Sequence, residues 1–203
     1  MQISTPILLE LDQAPLQPCY RHCIWEFSLV DTEIPDFVSN LEDFNSGNKE
    51  LYGTTTARKF FQKDSAWLEN YNRMMHTALV DLIANLNKDN YRTFKNIWGW
   101  ISTENLSGLT TFTNIVCDDY TLAMGKHLDN RKTVLAVILN LTNNESTTKF
   151  WDYRDPEKLL FNSSGVKGRG IIFMNSAGSL HNVTVDQQFP RITAQTQLSL
   201  HIR

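Results

Sequence analysis

The sequence predicts a mainly β fold with flanking helices, α+β in class, in the form of a double-stranded β-helix or jelly roll. Past Phe94 the chain becomes a series of short runs rich in Val, Ile, Thr and aromatic residues, separated by polar turns. With no helical pattern between them, such runs pack as antiparallel sheets in a sandwich or barrel. Before Phe94 the pattern is mixed and holds one long segment of helical spacing. The chain has 203 residues, 41% of them hydrophobic, which is enough for one sizeable core and little for two. A single domain is therefore expected over residues 1–203, with 1–94 as a mixed helical flank and 95–203 as the jelly-roll core.

Taken in order, Ile24 to Val30 has the apolar and aromatic character of a strand. Ile34 to Phe44 suits a short helix with Pro35 in its first turn, and Asn45-Ser-Gly-Asn48 a loop. The strongest helix opens at Asp64 or Ser65 as N-cap and repeats Trp67, Leu68, Tyr71, Met74, Met75, Leu79, Leu82, Ile83 and Leu86, so one face should lie on a sheet. His76 within it reads as a packing or surface residue. Strands are then expected at Ile97 to Ile101, Leu109 to Cys117, Tyr120 to Met124, Thr133 to Leu141, Thr148 to Tyr153, Gly170 to Met174, Asn182 to Val185 and Gln195 to Ile202. The pair Arg58-Lys59 stands alone and reads as solvated surface.

A formal net charge of -3 supplies no global basic field, which argues against a nucleic-acid or anionic-membrane partner. No run approaches the roughly 20 apolar residues of a spanning helix. The N-terminus lacks a basic region, and Glu10 and Asp12 interrupt its short apolar run, so it does not read as a signal peptide. The three cysteines, Cys19, Cys23 and Cys117, have no disulfide-like spacing, which suits a reducing compartment, and the expected location is the cytoplasm. Cys19, His22 and Cys23 lack the complementary pair that a zinc site requires.

The chemistry concentrates in Gly125-Lys-His-Leu-Asp-Asn130. His127 and Asp129 stand two residues apart at the edge of a strand, and the period of two points both side chains to one face. His181 opens a later strand and could complete a set of two imidazoles and one carboxylate, the facial arrangement that suits non-haem iron(II). His-x-Asp alone is a weak signal. Arg191-Ile-Thr193 strengthens it, because a guanidinium turned into a barrel requires an anionic partner, and a bidentately held carboxylate with the Thr193 hydroxyl nearby would supply one. Taken alone, Arg191 could equally face solvent.

His127-Leu-Asp129, then His181, then Arg191-Ile-Thr193 resembles the pattern of the iron(II)/2-oxoglutarate-dependent oxygenases: His-x-Asp, a histidine some fifty or more residues on, and Arg-x-Ser/Thr about ten residues later. Gly168-Arg-Gly-Ile-Ile-Phe-Met-Asn175 resembles the strand leading to the distal histidine. The likeness covers roughly residues 110–203 and leaves the first hundred unmatched. It implies that His127, Asp129 and His181 bind Fe(II), that Arg191 and Thr193 hold the far carboxylate of 2-oxoglutarate, and that O2 is the oxidant. It further implies oxidative decarboxylation of 2-oxoglutarate to succinate coupled to hydroxylation of a small-molecule or side-chain substrate. Tyr120 sits where some members place a hydroxyl donor to the cosubstrate, and equally suits a core aromatic. Asn130 could orient Asp129, face substrate or simply make a turn.

Two departures stand out. Lys149-Phe-Trp-Asp-Tyr153 lacks the double glycine that many relatives carry before it, and Gln197 stands where the nucleic-acid demethylase branch has a second arginine. Asp129 itself argues against halogenation. The rival readings are a cupin-like non-haem iron dioxygenase that uses no 2-oxoglutarate and a non-catalytic jelly-roll binding module. Arg131, Lys132, Trp151 and Arg154 are candidates for the substrate rim, while Trp98, Trp100 and His201 read as packing or surface.

Overall fold

The computed structural model describes residues 2–3, 7–9, 22–29, 34–46, 57–88, 108–119, 122–130, 132–175, 179–185 and 190–200. The expected strand Ile97 to Ile101, with Trp98 and Trp100, lies outside these residues, as do Tyr120, Arg131 and His201. In chain order the strands are β1 (Gln2–Ile3), β2 (Ile7–Leu9), β3 (His22–Ser28), β4 (Phe44–Ser46), β5 (Arg58–Phe61), β6 (Leu109–Asp118), β7 (Ala123–His127), β8 (Thr133–Asn140), β9 (Thr148–Trp151), β10 (Leu159–Asn162), β11 (Arg169–Met174), β12 (His181–Thr184) and β13 (Arg191–Leu200). A 3-10 helix spans Val38–Asp43, and the α-helix α1 spans Ala66–Lys88.

Among the described residues every strand pairing is antiparallel. The large sheet runs β1-β3-β11-β8-β13-β6-β5-β4, with β2 also on β3, and the small sheet runs β10-β9-β12-β7. This is the jelly roll that the strand pattern predicts. The flank does not stand apart from it: β3 pairs with β11 and β5 with β6, so strands from residues before Phe94 extend the core sheet.

The apolar run Val134 to Leu139 is the central strand β8, hydrogen-bonded to β11 and β13 and buried on both faces. A strand covered on both sides has no use for polar alternation. Leu135, Val137 and Leu139 join the core beneath α1, together with Ile192, Ala194 and Leu198 of β13. Tyr71, Met75, Leu79 and Ile83 recur every fourth residue and form the buried stripe of the helix. Ser65 caps it, its Oγ accepting from the Leu68 N–H at 3.3 Å. His76 Nδ1 lies 2.8 Å from Thr111 Oγ1, a helix-to-sheet contact in keeping with its packing role.

The opposite face of the large sheet looks into the barrel. Ala136, Ile171 and Phe173 pack there with Phe150 of the small sheet. Phe27 of β3 lies where a Cβ on Gly170 would sit 2.4 Å from its ring, so only glycine fits in that register.

Several expectations shift. The strand expected from Gln195 begins at Arg191, and that expected at Tyr120 to Met124 runs from Ala123 to His127. Asn45 and Ser46 belong to β4 rather than a loop, and β5 and β10 were not expected at all. Arg58 is not solvated surface: it is buried on β5, because a carboxylate across the ladder neutralises it. No helix among the described residues is long and apolar enough to cross a membrane.

Candidate metal centre

The small sheet brings the two histidines together. His181 of β12 is the register partner of His127 at the end of β7 and, on its other side, of Phe150 on β9. The imidazole centroids are 4.4 Å apart. Asp129 follows β7 by two residues, and its Oδ1 stands 3.9 Å from His181 Nε2, near but beyond hydrogen-bond length. One ligand atom from each of His127, Asp129 and His181 lies within 4.8 Å of the others.

Each ring makes the same local contact. His127 Nδ1 lies 2.9 Å from the carbonyl of Gly125, and His181 Nδ1 lies 2.7 Å from that of Ser179. A carbonyl only accepts, so Nδ1 carries the proton on both rings and both Nε2 lone pairs are left bare. Fixing the tautomer through the remote nitrogen is how imidazole ligands are prepared for a metal. Burial pushes the His181 pKa below its ordinary value; Asp129 opposes that shift, and His127 adds to it. A neutral, desolvated imidazole beside a carboxylate favours a cation over a proton. The rings of Phe150 and Phe173, 5.5 and 5.0 Å from that of His181, pack against it.

Asn175, just past β11, holds the turn that carries Asp129. Its amide donates to the carbonyls of Asn130 at 2.9 Å and Thr133 at 3.1 Å. The Asn130 side chain accepts from the Lys132 N–H at 3.0 Å, the turn role among the three open to it.

His127, Asp129 and His181 line a cavity of about 530 Å³ whose wall also includes Arg58, Asn114, Thr148, Arg191 and Gln195. Arg191 is 2% exposed and projects from the large sheet across the interior, its Nη2 donating to Thr148 Oγ1 on the small sheet at 3.0 Å. Among the described residues its Nε is buried without a hydrogen-bond partner. Burial lowers its pKa to about 10, Asp118 opposing and Arg58 adding to the effect, so it is charged at neutral pH. An unsatisfied buried guanidinium N–H marks room for a further acceptor. Thr193 shares the Arg191 face of β13 and is fully buried, with Gln195 Nε2 3.3 Å from its hydroxyl.

Sequence reasoning placed the histidines, Asp129 and Arg191 in one cavity and missed what braces them. Asp118, Arg58, Thr148 and Asn175 carry no motif; only register shows that Asp118 faces Arg191 across β6 and β13. Lys132, Trp151 and Arg154 are not among the residues lining the cavity. The Trp151 indole N–H is instead donated to Asn182, with Lys126 Nζ 4.0 Å over the ring. The side chains of Cys19, His22 and Cys23 lie outside the described residues, and Cys117 is buried and free.

No protein-family model and no curated protein matches the sequence. Solved structures do share its fold. A Pseudomonas putida prolyl-4-hydroxylase superposes with a TM-score of 0.55 at 11% identity, over 89% of this chain and 94% of that one. A Shewanella oneidensis protein provisionally described as an oxygenase gives a TM-score of 0.51 at 12% identity, over 88% and 82% of the two chains. At such identities the likeness speaks for the fold alone: the chain shares the fold of a prolyl-4-hydroxylase.

Proposed function

We propose that the protein is an iron(II)- and 2-oxoglutarate-dependent oxygenase that hydroxylates a small molecule or a side chain. The observation that carries this reading is a single cavity with two unlike ends: three convergent metal-ligand atoms from His127, Asp129 and His181, and a buried Arg191 with an unsatisfied N–H. A ligand that spans them has a metal-chelating head and an anionic tail, which describes a 2-oxo dicarboxylate. The fold shared with a prolyl-4-hydroxylase supports the class of reaction.

The residues present fit the metal: two oriented imidazoles and one carboxylate on one side leave coordination positions open on the other. When bound, Fe(II) with 2-oxoglutarate and O2 supplies the oxidative decarboxylation to succinate and carbon dioxide that drives hydroxylation. The chain's own contribution is orientation and exclusion of water. Ser179 and Gly125 hold the imidazole tautomers, Asn175 fixes the turn bearing Asp129, and Phe150 and Phe173 keep the His181 side dry. Arg191, tied to Thr148, would fix the cosubstrate's far carboxylate and so set the angle at which its keto acid meets the metal. Tyr120 and Thr193 would be further hydroxyl donors to that cosubstrate. Phe60, Phe112, Met124 and Leu128 alongside Asn114 and Gln197 in the same wall suit a substrate with both apolar and polar parts.

One observation favours the cupin-like rival without 2-oxoglutarate. Asp118 Oδ2 stands 3.7 Å from Arg191 Nη1 and could satisfy the guanidinium internally. The deciding experiment is anaerobic addition of Fe(II) and then 2-oxoglutarate to metal-free protein. The proposal expects the weak visible charge-transfer band of a chelated keto acid, absent in His127→Ala. Iron binding that 2-oxoglutarate leaves spectroscopically unchanged would decide for the rival.

A further inference from the structure

Asp118 ends β6, where register places Arg58 of β5 on one side of it and Arg191 of β13 on the other. The three residues are 8%, 0% and 2% exposed for Arg58, Asp118 and Arg191. Two guanidiniums and one carboxylate out of water leave one positive charge unbalanced, and burying charge without compensation is strongly unfavourable. The partition within the trio is uneven. Arg58 takes both carboxylate oxygens, Nε to Oδ1 at 2.6 Å and Nη2 to Oδ2 at 2.8 Å, in the fork geometry of a strong pair. Arg191 stands off at 3.7 Å, beyond hydrogen-bond reach, and among the described residues its Nε has no partner.

We infer that Arg58 is a positioning residue: its bidentate grip on Asp118 holds that carboxylate away from Arg191 and leaves the Arg191 guanidinium as receptor for the distal carboxylate of 2-oxoglutarate. This rests on the proposed function. The alternative use of Arg58, direct contact with the ligand, is open to it because it too lines the cavity. The pairing argues against that use, since both its Nε and one Nη are already committed to Asp118. Without Arg58, Asp118 would be a buried carboxylate with Arg191 as its nearest cation. It would turn to Arg191, and an incoming carboxylate would have to break that internal pair.

The test is calorimetric titration of 2-oxoglutarate into anaerobic, iron(II)-loaded protein, with 2-oxopentanoate as the probe that keeps the keto acid and lacks the distal carboxylate. Arg58→Met should weaken 2-oxoglutarate binding by about tenfold or more, the scale of close charge-pair couplings, and leave 2-oxopentanoate unchanged. Asp118→Asn should bind 2-oxoglutarate at least as tightly as wild type. The double variant Arg58→Met/Asp118→Asn should recover wild-type affinity to within about threefold, a rescue that a merely structural role would not give. If the single Arg58 variant fails to fold, the double variant, which has no unpaired buried carboxylate, decides alone. A double variant as weak as Arg58→Met, or itself weak for 2-oxoglutarate, overturns the inference and makes Arg58 a direct contact. A wild type that binds the two keto acids equally overturns the dicarboxylate reading, and the inference falls with it.

Discussion

The two ends of the cavity are built by opposite means. The histidine end lies on the small sheet, where each ring is held by the backbone carbonyl of the residue two before it in the chain. The guanidinium end lies mainly on the large sheet, where Arg58, Asp118 and Arg191 hold one another across three adjacent strands. At the first end, local hydrogen bonds fix bare lone pairs and burial disfavours protonation of His181, so the end suits a cation. At the second, a shared carboxylate leaves a surplus of positive charge, so the end suits an anion. The difference teaches how one cavity can present opposite charge to the two parts of one ligand: each charge is set by different strands, so neither end has to neutralise the other.

If the ends are independent in this way, variants should separate them. His181→Ala carries the largest expected effect, a loss of iron(II) affinity of about 100-fold or more, since it removes a ligand rather than a supporting partner. Binding of 2-oxoglutarate as a chelate should go with it. Arg191→Met should weaken 2-oxoglutarate by about 30-fold or more, the effect of removing a buried charge partner, while iron(II) affinity stays within about threefold. Parallel titrations of metal and cosubstrate on both variants check this, and an Arg191 variant that loses iron affinity as severely as the histidine variant would break the comparison.

The same contrast explains what could be read from the sequence. The proposed metal end is local in part: His127 and Asp129 share one tripeptide, while His181, on another strand, is pointed to by the resemblance to a known pattern. The helix stripe from Tyr71 to Ile83 and the apolar run of β8 were legible for a related reason, because periodicity reports burial directly. The anion end was legible only at Arg191. Its partners come from register, which sets residues 58, 118 and 191 side by side although nothing in their local sequence relates them. Arg58 looked like surface because lysine follows it; in a strand, alternate residues point to opposite faces, and Lys59 is exposed where Arg58 is buried. β10 is not marked in the sequence because it is only four residues long and its apolar run, Leu-Leu-Phe, does not alternate with polar residues.

A smaller effect tests a bond that ties the two ends together. Thr148 on β9 accepts from Arg191 Nη2 at 3.0 Å, the contact through which the small sheet steadies a side chain rooted in the large one. Thr148→Val keeps the shape and removes the acceptor. A loss of about 1 kcal/mol or a little more in cosubstrate binding is expected, roughly fivefold to tenfold in 2-oxoglutarate affinity, with iron(II) binding unaffected. An unchanged affinity would mean that the sheets position their ends without this link.

The smallest expected effect is the pH dependence of the metal-free protein. Burial, the largest influence on His181, lowers its pKa from the ordinary 6.5, against the pull of Asp129. The folded state therefore takes up this proton less readily than the unfolded chain. The stability contributed by the neutral ring is fully present above 6.5 and is lost as pH falls from there through the lowered folded value. The Arg191 pKa, about 10 in the folded protein, keeps that end charged throughout this range, so acid should loosen the histidine end alone. Denaturant unfolding of metal-free protein at about pH 7.5 and about pH 5.5 should show wild type losing more stability than His181→Gln, because glutamine has no proton to gain. Equal losses in the two proteins would mean that the ring is solvated enough to titrate normally, and the charge contrast between the ends would then depend on the metal rather than on burial.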